Sequence, residues 1–160
     1  MILQFLAFTL LLTEFLYVKI TNMTENHWWI FGLWQPNDAY AQYFRWQSYL
    51  NPLTKQWESP VFLCNVTFEL WCRNNRHIHH ASKWWGQILI CVDGSGWYQE
   101  QWKDARSLNP WDVVVIPANV KHRHWAKKDS RFSHIAVETP WENTSNERCE
   151  EVSDEEYNAL

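Results

Sequence analysis

The chain has 160 residues and a net charge of −4, and its lysines and arginines are spread along the sequence. A domain of this length can bury a substantial core, and the lack of a basic cluster argues against a nucleic-acid-binding protein. The four cysteines form no C-x-x-C pair and no dense framework, which indicates reduced thiols in a cytoplasmic protein.

The first 22 residues form an apolar extension that loosely resembles a signal sequence. No basic residue precedes Lys19, polar residues interrupt the run, and no small-x-small cleavage site follows it. Its uninterrupted apolar length is below the roughly 20 residues that span a bilayer. Two alternatives stay open: a membrane-directing segment, or an extension outside the native protein, with translation starting at Met23. We expect no membrane partner unless residues 1–20 are a genuine signal.

Residues 23–60 are predicted to form an irregular N-terminal arm, with a short helix near residues 38–44. From residue 61 to 140, strand-like segments recur at short intervals and predict an all-β sandwich or barrel. The predicted strands are 61–70, 87–92, 97–100, 105–108, 112–116 and 132–138. Residues 97–100 are predicted to form a hairpin with 87–92. Residues 141–160 are predicted to be an acidic, solvated tail.

Six of the seven histidines lie between His77 and His134. His77 and His79 are two positions apart, so on a strand both side chains point to the same face. His122 follows a turn, and Gln87 on the intervening strand can add an amide oxygen. Because neutral imidazole is the commonest side-chain metal ligand, these residues predict a metal site.

The spacing of these residues resembles the two motifs of the cupin family. In the first motif, Trp71 stands at the glycine position, five residues separate it from His77-Ile78-His79, Gln87 takes the place of the acidic ligand, and Gly94 follows after six residues. In the second, Trp111 stands at the glycine position and Pro117-Ala118-Asn119 leads to His122. The resemblance covers residues 61–138. It implies a cupin double-stranded β-helix, which is a jelly-roll barrel.

The segments 117–124 and 132–134 are similar to those of the small single-domain cupins found beside carboxymuconolactone decarboxylases, some of which are manganese-dependent hydroxynitrile lyases. The resemblance implies that the metal ligands are His77, His79, Gln87 and His122, and that His134 is the catalytic acid or base. It also implies a divalent metal ion, with manganese first and iron, zinc or nickel as alternatives. A mixed nitrogen and oxygen shell does not choose among these metals. A homodimer is expected on the same ground.

We therefore expect a metal-dependent, lyase-like enzyme acting on a small organic hydroxy or carbonyl substrate. The metal would polarise the substrate oxygen, and His134 would transfer the proton. Two alternatives stay open: a non-catalytic small-molecule-binding or sensor cupin, and an iron-dependent dioxygenase. The chain carries no helix-turn-helix pattern, which disfavours a transcription factor.

The chain has 13 tryptophans and only 4 glycines, although glycine averages about 7% of residues. Short strands and tight turns need glycine wherever φ is positive. By the resemblance, or by their place in turns, seven tryptophans stand at glycine positions: Trp71, Trp84, Trp85, Trp102, Trp111, Trp125 and Trp141. Four arginines stand where tryptophan is expected: Arg76, Arg123, Arg131 and Arg148. We hypothesise that the source reads UGA as glycine and some CGN codons as tryptophan.

Overall fold

The computed structural model describes residue 31 and residues 35–55, 57–83, 85–138 and 143–160. The chain divides into two units, Met1–Gly32 and Leu33–Leu160, and the fold described below is that of the second. The predictions for residues 1–22, Trp84 and Trp141 lie outside the described residues. No helix among the described residues is both long and apolar enough to cross a membrane.

The described part of the second unit is built almost entirely from short strands. They are β1 (Gln35–Pro36), β2 (Phe44–Arg45), β3 (Ser48–Pro52), β4 (Phe62–Phe68), β5 (Arg73–Asn74), β6 (His77–His80), β7 (Trp85–Gly94), β8 (Gly96–Glu100), β9 (Arg106–Leu108), β10 (Val113–Pro117), β11 (His122–Ala126), β12 (Phe132–Glu138) and β13 (Ser145–Arg148). A 3-10 turn spans Ala41–Tyr43, and a short helix, α1, spans Asp154–Asn158.

The strands form two antiparallel sheets. One has the order β1-β3-β4-β12-β7-β10, and the other has the order β13-β6-β11-β5-β2, with β8 and β9 added beside β11. Neighbours in each sheet are mostly distant in sequence, which is typical of a jelly-roll rather than a meander. The predicted all-β jelly-roll barrel is confirmed.

The core lies between the two sheets and follows the period-two alternation of their strands. On β7, Leu89 and Cys91 are completely buried, and Gln87 points to the same side. Phe68 and Phe132 are also completely buried and pack edge to face, with ring centroids 6.2 Å apart. Full burial of each such aromatic side chain contributes about 1.5–3 kcal/mol. The alternation that builds the core also carries Gln87 into the interior.

The predicted hairpin between residues 87–92 and 97–100 is wrong. Although β7 and β8 are separated only by Ser95, β7 pairs with β12 and β10, while β8 pairs with β11 and β9. The chain therefore passes from one sheet to the other at this point. Gly94 has φ 64°, and a Cβ at Gly96 would lie 2.6 Å from the Phe132 ring. Glycine permits both the bend and the close approach.

Both flanking segments contribute strands to the sheets. In the N-terminal arm, β3 pairs with β4 along five residues, and the expected short helix is the 3-10 turn. In the C-terminal segment, β13 pairs with β6, and α1 begins with a Ser153–Glu156 capping box. Tyr157 of α1 donates a hydrogen bond to the carbonyl of Ala126 at 3.0 Å. The C-terminal segment is therefore ordered at β13 and α1, while Glu147, Asp154 and Glu155 on these elements are exposed, as expected for an acidic, solvated segment.

Three tight turns hold tryptophan in the left-handed backbone region. The turns are closed by hydrogen bonds from Cys72 N to Glu69 O (3.0 Å), from Lys103 N to Glu100 O (3.1 Å) and from Asp112 N to Asn109 O (3.0 Å). Their third residues are Trp71 (φ 69°), Trp102 (φ 68°) and Trp111 (φ 78°). A type II turn needs a positive φ at this position and selects glycine there. A bulky residue with this φ costs about 1–2 kcal/mol.

Candidate metal centre

Three buried histidines meet on one sheet. His77 and His79 lie on β6, and His122 on β11 pairs directly with His77. The ring centroids of His77 and His122 are 4.2 Å apart, those of His77 and His79 are 5.1 Å apart, and those of His79 and His122 are 5.5 Å apart. Each ring offers one nitrogen, and these nitrogens all lie within 4.8 Å of one another. A single divalent ion can therefore contact all three.

The backbone fixes the orientation of two of these rings. The Nδ1 atom of His77 lies 3.1 Å from the carbonyl oxygen of Asn75, and the Nδ1 atom of His122 lies 2.9 Å from that of Val120. A carbonyl oxygen only accepts hydrogen bonds, so Nδ1 carries the proton in both rings. The lone pair is then on Nε2, the nitrogen left for a metal.

Burial keeps the three imidazoles neutral. Desolvation lowers the pKa of His79 to about 4 and that of His122 to about 4, and it lowers the pKa of His77 well below its ordinary value. The neighbouring histidines of the cluster also lower the pKa of His77. Metal binding requires the neutral form, so the site needs no deprotonation at neutral pH.

Gln87, His77 and His79 line one cavity of the barrel. The Oε1 atom of Gln87 is buried and has no hydrogen-bond partner among the described residues, and the same is true of Nε2 in His79 and in His122. Leaving a buried polar atom unpaired costs about 1–3 kcal/mol, so three such atoms, two of them on residues that line one cavity, are unusual. A divalent cation held by the three histidines would satisfy the atoms of His79 and His122. The residues present therefore fit a metal ion.

Glu138, at the end of β12, is a polar residue of this cavity that the sequence did not single out. Its Oε1 atom accepts a hydrogen bond from Gln87 Nε2 at 3.3 Å and lies 3.7 Å from His79 Nδ1. Burial raises the pKa of Glu138, and nearby Arg148, Asn146 and Gln87 oppose this rise. Glu138 lies four residues after His134, so both side chains point to the same face of the strand. This alternation could have identified Glu138 from the sequence.

His134 lines the same cavity from β12, in the other sheet. It is completely buried, and neither ring nitrogen has a hydrogen-bond partner among the described residues. Its ring stacks on Phe132 with centroids 5.0 Å apart, and it meets the ring of His124 edge-on at 4.8 Å. Burial lowers the pKa of His134 to about 3. Its catalytic role stays a prediction.

The two remaining histidines of this region lie outside the three-histidine cluster. His124 is buried, and its Nε2 atom lies 3.0 Å from the amide nitrogen of Asn74. His80 points away from the interior, and its ring nitrogens contact Asn119 Oδ1 at 3.0 Å and Glu147 Oε2 at 2.7 Å. Both contacts raise the pKa of His80, that of Glu147 most.

His77, His79, His124 and His134 line a cavity of about 420 Å³. Its apolar wall includes Phe44, Leu50, Phe62, Val66 and Ala136, and its polar wall consists of the histidines with Gln87, Asn74, Glu138, Asn146 and Arg148. Cavities of this size hold small organic molecules, with a few polar groups to orient them.

No family model and no curated protein sequence matches the chain. Among solved structures, a cupin-like protein from Thermotoga maritima is 32% identical, with a TM-score of 0.72, over 81% of this chain and 95% of that one. The chain belongs to the cupin family. This cupin is also similar in fold to a sugar phosphate isomerase of the cupin superfamily from Silicibacter pomeroyi, at 15% identity and a TM-score of 0.55, over 64% of this chain and 66% of that one.

A DMSP lyase from Ruegeria pomeroyi has the same fold, at 16% identity and a TM-score of 0.54, over 72% of this cupin and 56% of that chain. At these identities, the isomerase and the lyase establish the fold alone.

Removing one of the three histidines should strongly weaken metal binding by this cupin. We expect one equivalent of Mn²⁺ to bind the wild type. His122→Ala should weaken this binding by more than about 100-fold, because the loss of a ligand exceeds the 10–100-fold typical when a group that only orients a ligand is removed. At 100 times its dissociation constant, the ion should add about 2.7 kcal/mol of stability. Equilibrium dialysis with metal analysis measures the binding, and thermal unfolding measures the stability. His80→Ala on the outer face of β6 is the control, and equal affinity of His122→Ala and His80→Ala would contradict the assignment.

The metal-free cupin should lose stability in mild acid because of His134. Its pKa is about 6.5 in the unfolded chain and about 3 in the fold, so below about pH 6.5 the unfolded chain binds a proton that the folded chain does not. The free energy of unfolding should therefore fall as the pH decreases, with His134 contributing on the order of 2 kcal/mol between pH 7 and pH 5. Urea unfolding should show a weaker pH dependence for His134→Phe than for the wild type. An unchanged dependence would contradict the depressed pKa.

Proposed function

We propose that this cupin is a metal-dependent, lyase-like enzyme that acts on a small organic substrate carrying a hydroxyl or carbonyl group. The observation that carries the proposal is the set of unpaired buried polar atoms on His79, Gln87 and His122, of which His79 and Gln87 line a cavity large enough for such a substrate. We propose His77, His79, Gln87 and His122 as the ligands and manganese as the metal, with iron, zinc or nickel as alternatives.

The proposed chemistry needs a Lewis acid beside a proton-transfer group. A bound divalent cation would polarise the substrate oxygen and lower the pKa of its hydroxyl. His77, His79 and His122 stay neutral at pH 7, so they add no positive charge of their own to the site. Gln87 adds a neutral oxygen, and the ligand set therefore leaves the cation its full charge.

His134 is the group we propose to move the proton. Its imidazole is neutral at pH 7, and both ring nitrogens are unpaired beside the cavity. Because burial opposes its protonation, the imidazolium formed after accepting a proton is a strong acid that readily returns the proton. Phe132 and Phe68 pack against this ring and fix its plane.

The apolar wall would hold the carbon skeleton of the substrate and exclude water. Phe44, Leu50 and Val66 line it on the side of β2, β3 and β4. Exclusion of water strengthens the electrostatic interaction between the metal site and the substrate oxygen.

The predicted homodimer stays a prediction. Strand β10 is an edge strand of its sheet, and its outward residues Val113 and Val115 are about half exposed. An exposed apolar edge is a suitable surface for pairing with a second copy.

Replacing His134 should separate turnover from metal binding. We expect His134→Ala to retain bound metal and to lose turnover of cyanohydrins and related hydroxy or keto acids by about 100-fold or more, as for loss of a general acid or base. Metal analysis and turnover assays of the loaded protein measure the two effects, and His80→Ala is the control.

Equal loss of metal and activity in His134→Ala would make this residue structural. Substrate binding without turnover by the wild type would favour the non-catalytic sensor instead of the enzyme. Oxygen consumption by the iron-loaded wild type would favour a dioxygenase.

A further inference from the structure

We propose that Glu138 is a positioning residue that holds the Gln87 amide with its oxygen towards the metal. This proposal rests on the proposed metal site. Val137 of β12 pairs with Ile88 of β7, so the next positions along the two antiparallel strands, Glu138 and Gln87, lie side by side. Their side chains meet at 3.3 Å, from Gln87 Nε2 to Glu138 Oε1.

The chemistry of the two groups permits one orientation of the amide. A carboxylate only accepts hydrogen bonds, whereas an amide has one donating and one accepting end. With Nε2 towards Glu138, the Oε1 atom points away from it and is buried without a partner. A half-turn of the amide would bring two oxygens together and would turn the NH₂ group towards the metal site. A cation requires a lone pair, which the NH₂ group does not offer.

Glu138 acts through Gln87 rather than as a ligand in its own right. The group whose donor atoms all lie within 4.8 Å of one another comprises His77, His79 and His122, and Glu138 is not a member. The Glu138 carboxylate also lies near His79, with 3.7 Å between Oε1 of Glu138 and Nδ1 of His79. The unpaired nitrogen of His79 is Nε2. The carboxylate thus borders two of the proposed ligands on the sides away from their unpaired atoms.

The test compares the effect of Glu138 variants on Mn²⁺ affinity in the wild type and in Gln87→Glu. Circular dichroism verifies that each variant folds. Glu138→Ala should weaken Mn²⁺ binding by about 10–100-fold, as is typical for the loss of an orienting group. Glu138→Gln keeps an accepting oxygen and should retain most of the affinity. In Gln87→Glu, both oxygens of residue 87 are equivalent and need no orienting group. Adding Glu138→Ala to that variant should therefore leave the affinity unchanged or increase it, since a like charge is removed.

Equal affinity of Glu138→Ala and the wild type would overturn the positioning role. An equal loss in both backgrounds would also overturn it, because the effect would then not depend on the amide. If the wild type binds none of Mn²⁺, Fe²⁺, Ni²⁺ or Zn²⁺, the proposed metal site itself fails. The two failures are therefore distinguishable.

Positive φ angles at four bends of the backbone support a second, independent inference. Among the described residues, six other than glycine have positive φ: two are asparagines, Asn119 and Asn143, and four are tryptophans, Trp46, Trp71, Trp102 and Trp111. Asparagine tolerates this region because its short polar side chain can bond locally, and tryptophan does not. From these backbone angles, we infer that the native polypeptide carries glycine at positions 46, 71, 102 and 111.

The side chains at two of these positions show little packing that would offset the strain, whereas the Trp71 ring lies 5.8 Å from that of Tyr157. Trp102 is 93% exposed and Trp111 is 87% exposed. Trp111 also directly follows Pro110 in its turn, and proline followed by glycine is the preferred central pair of a type II turn. Trp125, in contrast, is buried in β11 without a positive φ. Arg76, Arg123, Arg131 and Arg148 also have no positive φ.

Peptide mapping by mass spectrometry of the protein from its natural source tests the inference directly. Peptides containing positions 46, 71, 102 and 111 should have the masses of the glycine forms, and tryptophan there would overturn the inference. In recombinant protein, Trp111→Gly should raise the melting temperature by about 2 °C or more. Trp57 is the matched control, because it is 81% exposed and has no positive φ. An equal effect of Trp57→Gly would contradict the strain argument.

Discussion

The antiparallel pairing of β6 with β11 is the constraint on which the site depends. It places His77 directly opposite His122, and the two-residue period of β6 brings His79 to the same face. A slip of one residue in this pairing would turn the imidazoles of one strand to the outer surface. The pairing of β13 on the free side of β6 adds Asn146 opposite His79. The geometry of the metal centre is thus a property of strand register.

Much of this arrangement could be predicted from the sequence because it depends on local periodicity. His77 and His79 share a face by alternation, and the run of strands after residue 61 predicted an all-β barrel. The same alternation puts Gln87, Leu89 and Cys91 on one face of β7, and all three are buried. Predictions of this kind need only the spacing of side chains along one strand.

The features that were missed depend on pairing between distant segments. Whether β8 pairs with β7 or with β11 is decided by the packing of two sheets, and local turn residues alone indicated a hairpin. Ser145–Arg148 is polar and short, so its inclusion in a sheet is determined by the free edge of β6. Glu138 is one of 18 acidic residues in the chain. Only the register between β12 and β7 places it beside Gln87, a proposed metal ligand.

The proposed ligands come from both sheets, since the histidines lie on β6 and β11 and Gln87 lies on β7. Their positions span residues 77 to 122, so the complete coordination shell forms only when distant strands have paired and the barrel has closed. Contacts of such long sequence separation form late, because loop-closure entropy is lost before they stabilise the chain. A metal ion bound by these proposed ligands would therefore not guide the early folding of this protein. It would enter a finished barrel, tie the two sheets together and slow their separation.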